Sequence, residues 1–117
     1  MGFTLGEGLK STIVTGSRTA AAGSGVQSIT GAGFTPKAAV VLFTDTETVI
    51  QPGTGFVDDA GVSAALDTRS IYPIRTPFIY QSPAGGQIME ATGALTADGI
   101  DLTWTKTGAG SDVYFSI

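Results

Sequence analysis

The sequence predicts an all-β fold, an antiparallel β-sandwich of jelly-roll-like kind with little or no helix. Three observations lead there. No segment repeats its apolar residues at the 3.6-residue helical period. Short runs rich in Val, Ile, Thr, Phe and Tyr are separated by Gly and Pro turns, the pattern of sandwiches and barrels. One run, Ala38-Ala-Val-Val-Leu-Phe43, is apolar at every position. It is too short for a typical buried helix and is rich in strand formers, so it reads as a central strand with both faces covered.

The elements follow in chain order. Residues 1–8 are spaced by glycines and read as an N-terminal arm. Leu9 to Val14 reads as a first strand closed by Gly16, and residues 16–25 as a flexible Gly/Ala/Ser loop. Val26 to Thr30 is a short strand with Gln27 and Ile29 on one side. Gly31-Ala-Gly33 turns the chain, and Pro36 holds Thr35 extended before the central run. Glu47 to Gln51 continues extended until Pro52-Gly53. Phe56-Val57 and Val62 to Leu66 form a hairpin around Asp58-Asp-Ala-Gly61, with one helical turn at Ala64–Asp67 as the alternative.

Pro73 and Pro77 place Ile71–Ile74 and Pro77–Gln81 at sheet edges or strand starts. Ser82 to Gly86 is a turn and Gln87 to Ala91 a strand. Asp98-Gly99 is the strongest short hairpin signal, and reads as a type I′ turn with both residues at positive φ. After it Ile100, Leu102 and Trp104 alternate with polar residues, marking one inner face. Val113, Phe115 and Ile117 mark the inner face of a terminal strand. The expected core contains Ile29, Phe34, Val41, Phe43, Leu102, Trp104 and Phe115.

A chain of 117 residues fits one domain, 1–117, with enough buried surface to need no staples. Cysteine and histidine are both absent. Disulfides, thiolate nucleophiles and the commonest general base and transition-metal ligand are thereby excluded. The basic residues Lys10, Arg18, Lys37, Arg69, Arg75 and Lys106 are scattered, and the net charge is −4. Nucleic-acid binding, which needs clustered Lys and Arg, is not expected. No apolar run has the length of a membrane span, and Met1-Gly-Phe-Thr reads as a direct start without a targeting segment. Charged residues are 14% of the chain, against roughly 25% in ordinary domains. A surface this neutral suits a protein partly hidden in an assembly.

Two stretches carry a resemblance. Gln27-Ser-Ile-Thr-Gly-Ala-Gly-Phe-Thr-Pro-Lys37, leading into the apolar strand, fits the pattern Q-x-I-T-G-x-G-F-x-P-K. Asp98-Gly-Ile-Asp-Leu-Thr-Trp104 fits D-G-F-x-L-x-W with Ile at position 100 in place of Phe, and Val113-Tyr-Phe-Ser-Ile117 closes the chain on a short aromatic-apolar strand. In these features, about a third of the chain, it resembles small all-β virion structural proteins of tailed bacteriophages. The resemblance implies a non-enzymatic protein of the virion, assembled in the host cytoplasm, acting as a head decoration or minor capsid protein through repeated protein–protein contacts. The alternative it leaves open is a tail- or fibre-associated module binding a host-surface glycan. It implies other virion proteins, such as the major capsid protein, as partners, and a homo-oligomer with a trimer as the expected order. The motifs are turns and core residues, so no catalytic or cofactor-binding residue follows from them. Residues 44–92 match no such pattern.

Asp58-Asp59 beside Gly61 has two carboxylates, but lacks the spacing of a Ca²⁺ loop and reads as a solvated turn. Gly31/Gly33 and Gly108/Gly110 lack the rest of a phosphate loop. Trp104 could stack on a sugar, but its alternation with Ile100 and Leu102 favours the core. No catalytic, metal or cofactor site is expected. The candidate subunit contact is Tyr72, Arg75, Phe78 and Tyr80, because aromatic residues and Arg are enriched in interface cores.

Overall fold

A computed structural model describes residues 10–45, 52–67, 76–82 and 86–117. Nine strands form two antiparallel sheets that pack face to face, as the sequence predicts. They are β1 (Thr15–Arg18), β2 (Gly25–Ile29), β3 (Ala38–Asp45), β4 (Gly53–Asp58), β5 (Ser63–Asp67), β6 (Ile79–Gln81), β7 (Ile88–Thr96), β8 (Gly99–Thr107) and β9 (Val113–Ser116). A single 3₁₀ turn, Ala20–Ala22, is the one helical element among the described residues. The five-stranded sheet has the order β1-β9-β3-β4-β5 and the four-stranded sheet the order β2-β8-β7-β6. First and last strands pair, and the second pairs with the last but one, which is the interleaving of a jelly roll. The middle strands, β3-β4-β5 and β6-β7-β8, return as plain meanders.

The core lies between the sheets. The five-stranded sheet contributes Val41, Phe43, Val57, Ala65, Val113 and Phe115. Across from them lie Ile79, Met89, Ala91, Ile100, Leu102 and Trp104 from the four-stranded sheet. Trp104 and Phe115 meet across the gap with ring centroids 6.2 Å apart. Of the expected core, Val41, Phe43, Leu102, Trp104 and Phe115 are buried, while Ile29 and Phe34 are only half-buried. Phe34 lines a cleft of about 740 Å³ together with Ile29, Leu95, Ile100 and Ile117.

Two local expectations change. The first strand starts at Thr15, and Gly16 lies inside it. Gly16 admits the Phe115 ring, because a Cβ there would lie 2.8 Å from Phe115 Cζ. The small-residue stretch 16–25 is likewise organised. Arg18 donates from Nη2 to Gly23 O at 2.9 Å, Ala20 N donates to Asp112 Oδ1 at 2.8 Å, and Lys106 Nζ donates to Ala20 O at 2.9 Å. At Ala64–Asp67 the hairpin reading holds and the helical alternative does not: the segment is strand, paired with β4.

The hairpin between β7 and β8 forms, but its turn is centred one residue early. Thr96 pairs with Gly99, so Ala97 and Asp98 are the central residues, and neither has positive φ. It is therefore not type I′. Gly99 is needed for a different reason: a Cβ there would lie 1.8 Å from Ile29 O on the neighbouring β2. Asp98 reaches across to the Gly31–Gly33 turn. Its Oδ2 accepts from Gly31 N at 3.0 Å, its Oδ1 from Gly33 N at 2.7 Å, and its carbonyl from Ala32 N at 2.9 Å. Thr35 Oγ1 donates to Ala97 O at 3.0 Å, and Trp104 Nε1 donates to Gln27 Oε1 at 2.9 Å. The two motif stretches thus form one packed corner, with β2 paired to β8 from Gly25–Trp104 to Ile29–Ile100.

The central strand departs most from expectation. β3 alternates: Val41 and Phe43 are fully or nearly fully buried, whereas Val40 is 58% and Leu42 63% exposed. The second sheet covers only its inner face. The apolar run reports two faces that avoid charge, not two faces covered within the described chain.

Candidate functional site

The outer face of the five-stranded sheet follows from the β-strand period of two. With Val41, Phe43, Val57 and Ala65 turned inward, Val40, Leu42, Phe56 and Leu66 must turn outward. Register aligns them in rows across the sheet. Ser116, Leu42, Thr54 and Leu66 form one row, and Val40, Phe56 and Ala64 the next. A third row holds Ser17, Tyr114 and Thr44. Cross-strand neighbours lie about 5 Å apart, so these side chains make one continuous surface.

Among the described residues charge lies only at its end. Asp58, at the end of β4, turns its Oδ1 back to accept from Ala60 N at 3.0 Å and Val62 N at 2.9 Å. Neighbouring Asp59 pairs with Lys37 at 3.2 Å, both well exposed. The two aspartates considered for Ca²⁺ are therefore occupied by a turn and a surface ion pair. Beside Tyr114 the face dips into a shallow depression of about 600 Å³, bordered by Thr15, Ser17, Leu42, Thr44 and Ser116.

Among the described residues no three His, Cys, Asp or Glu side chains gather at metal-binding distance. Trp104 is buried and donates its Nε1 proton to Gln27, so its ring is closed to a sugar. What the surface offers is apolar area without charge, which is the chemistry of a protein contact.

Of the residues expected at a subunit contact, Phe78 and Tyr80 fall among the described ones, and neither lies on this face. Tyr72 and Arg75 lie outside the described residues, as do the arm at residues 1–8 and the extended stretch 47–51. Phe78 belongs to the core: it is fully buried, its backbone N donates to Ala91 O at 2.9 Å, and its carbonyl packs against Gly55. Its side chain is therefore unavailable to a partner. Tyr80 is half-buried on the edge strand β6 of the other sheet. The reading of the sequence missed Val40, Leu42, Phe56, Leu66 and Tyr114. The available signal was the pairing of an all-apolar strand with a chain too poor in charge to cover it with ions. The chain matches no family model, and no curated protein and no solved structure matches it.

Proposed function

We propose that this chain is a non-enzymatic structural protein of a bacteriophage virion, a head decoration or minor capsid protein that works through repeated protein–protein contacts. The virion part rests on the two motif stretches, Gln27–Lys37 and Asp98–Trp104. The contact-making part rests on one observation, the uncharged apolar outer face of the five-stranded sheet.

Physical magnitudes favour a lattice role. Burial contributes about 25 cal/mol per Å² of apolar surface, so covering one half-exposed Leu or Phe contributes on the order of 1–2 kcal/mol. A few such side chains hold a single contact weakly after the cost of association. Repetition on a symmetric particle converts weak contacts into avidity. The same symmetry supports a homo-oligomer, with the major capsid protein as a further partner.

The test is location. An electron-microscopy map of particles produced from the genome that encodes this chain should show the sandwich as density of fixed stoichiometry on the head. Particles free of the chain would contradict the proposal, and density only at the tail tip would move the role to the tail.

A further inference from the structure

We infer that the outer face of the five-stranded sheet is the surface on which copies of this chain pack against one another. The inference deepens the contact-making reading above by naming the surface and its occupant, and it is independent of the virion assignment.

Size comes first. Five strands spaced by about 4.8 Å, each with about six residues at 3.3 Å, give a face of roughly 500 Å² in plan. The accessible area of a pleated surface exceeds its plan, so the face approaches the roughly 800 Å² per partner of a standard stable interface. Its apolar part is made by Val40, Leu42, Phe56, Leu66 and Tyr114, with Ser17, Thr44, Thr54 and Ser116 among them.

Charge selects the occupant. A different partner of ordinary composition would bring charged side chains over Val40, Leu42 and Phe56, where none of opposite sign waits, and desolvating an unpaired charge is costly. A second copy brings the same uncharged face. The chain carries a net −4, so copies repel at long range, but among the described residues Asp58, at its end, is the acid on this face. Shape agrees. Small Ala64, Thr54 and Ser116 alternate in the rows with the larger Phe56, Leu42 and Leu66, and a shallow depression lies beside Tyr114. Two sheet faces pack about 10 Å apart when side chains interdigitate in this way.

The absence of cysteine makes the test clean, because an introduced thiol is the only one. Thr54 lies in the middle of the apolar face between Leu42 and Leu66; Thr103 lies on the outward face of the other sheet between Val26 and Thr92. Under mild oxidation T54C should form an intermolecular disulfide at least tenfold faster than T103C. Light scattering should give the unmodified chain a mass of two or more copies at micromolar to millimolar concentration. L42E should lower that mass to one copy while far-UV circular dichroism keeps its β signature. An oligomer untouched by L42E and cross-linked faster through T103C would overturn this surface, yet leave the contact-making reading standing. A monomer at millimolar concentration with slow cross-linking at both positions would overturn the occupant; this face would then be covered by the chain's own residues or by a different protein. If L42E fails to fold, L42T removes apolar surface without charge and should weaken association at least tenfold.

Discussion

The two outward faces of the sandwich are built from the same kind of strand and finish differently. On the four-stranded sheet Thr103, Thr105 and Thr107 of β8 lie beside Thr92, Glu90 and Ile88 of β7, with Asp101 opposite Ala94. Val26 on the edge strand β2 is its one strongly exposed large apolar residue among the described ones. On the five-stranded sheet the same positions hold Val40, Leu42, Phe56, Leu66 and Tyr114. Threonine satisfies strand propensity through its branched Cβ while its hydroxyl faces water. Valine and leucine satisfy propensity or packing alone. Among the described residues one sheet turns mainly hydroxyl-bearing side chains outward and the other large apolar ones, and the inner faces that join them are both apolar.

The largest expected effect comes from the layer both faces share. Gly99→Val would drive a Cβ into Ile29 O, which sits 1.8 Å from the place it would take, and no flexible side chain is there to yield. Separation of β2 from β8 should follow, with a loss of about 3 kcal/mol or more in urea denaturation. Unchanged stability would mean that β2 does not run this close to the hairpin. Trp104→Ala should cost about 3–5 kcal/mol, because it empties a fully buried site and leaves the Gln27 carbonyl without its donor. Neither change distinguishes the two outer faces; both should degrade them together.

Asp98→Asn should cost about 1–3 kcal/mol. Asparagine keeps one side-chain acceptor, whereas Asp98 uses both carboxylate oxygens to hold the Gly31 and Gly33 amides. The damage should stay at the motif corner, seen as faster amide exchange of residues 31–33. A silent substitution would mean that the turn holds itself. The smallest effects on folding belong to the outer faces, and here the comparison sharpens. Leu42→Thr and Thr103→Val should each change monomer stability by no more than about 0.5–1 kcal/mol. Their effects on association should differ: the first weakens it and the second does not. Equal effects on association would erase the distinction between the faces.

Much of the fold was legible because strands declare themselves locally. The alternation at Ile100, Leu102 and Trp104, the hairpin at Asp98-Gly99 and the turn at Gly108-Ala-Gly110 all act over a few residues. Long-range partners did not show. Asp98 binds amides 65 and 67 positions away, and Gly16 is explained only by the Phe115 ring from the last strand. Phe78 looked like an interface residue because prolines flank its segment. It is core because Gly55 and Gly93 leave it room. The candidate surface was half legible. An all-apolar strand states that both its faces avoid water, but periodicity carries no record of which molecule covers the second one.

That second face can be measured directly. Leu42 and Val26 are almost equally exposed in the isolated chain, at 63% and 62%, and lie on opposite outer faces. Hydroxyl-radical footprinting read by mass spectrometry, with each rate normalised to the intrinsic reactivity of its side chain, compares them in one sample. At millimolar chain concentration Leu42 should be oxidised at least fivefold more slowly than Val26, and dilution should bring the two rates together. Equal rates at every concentration would contradict the claim that the five-stranded sheet carries the contact surface.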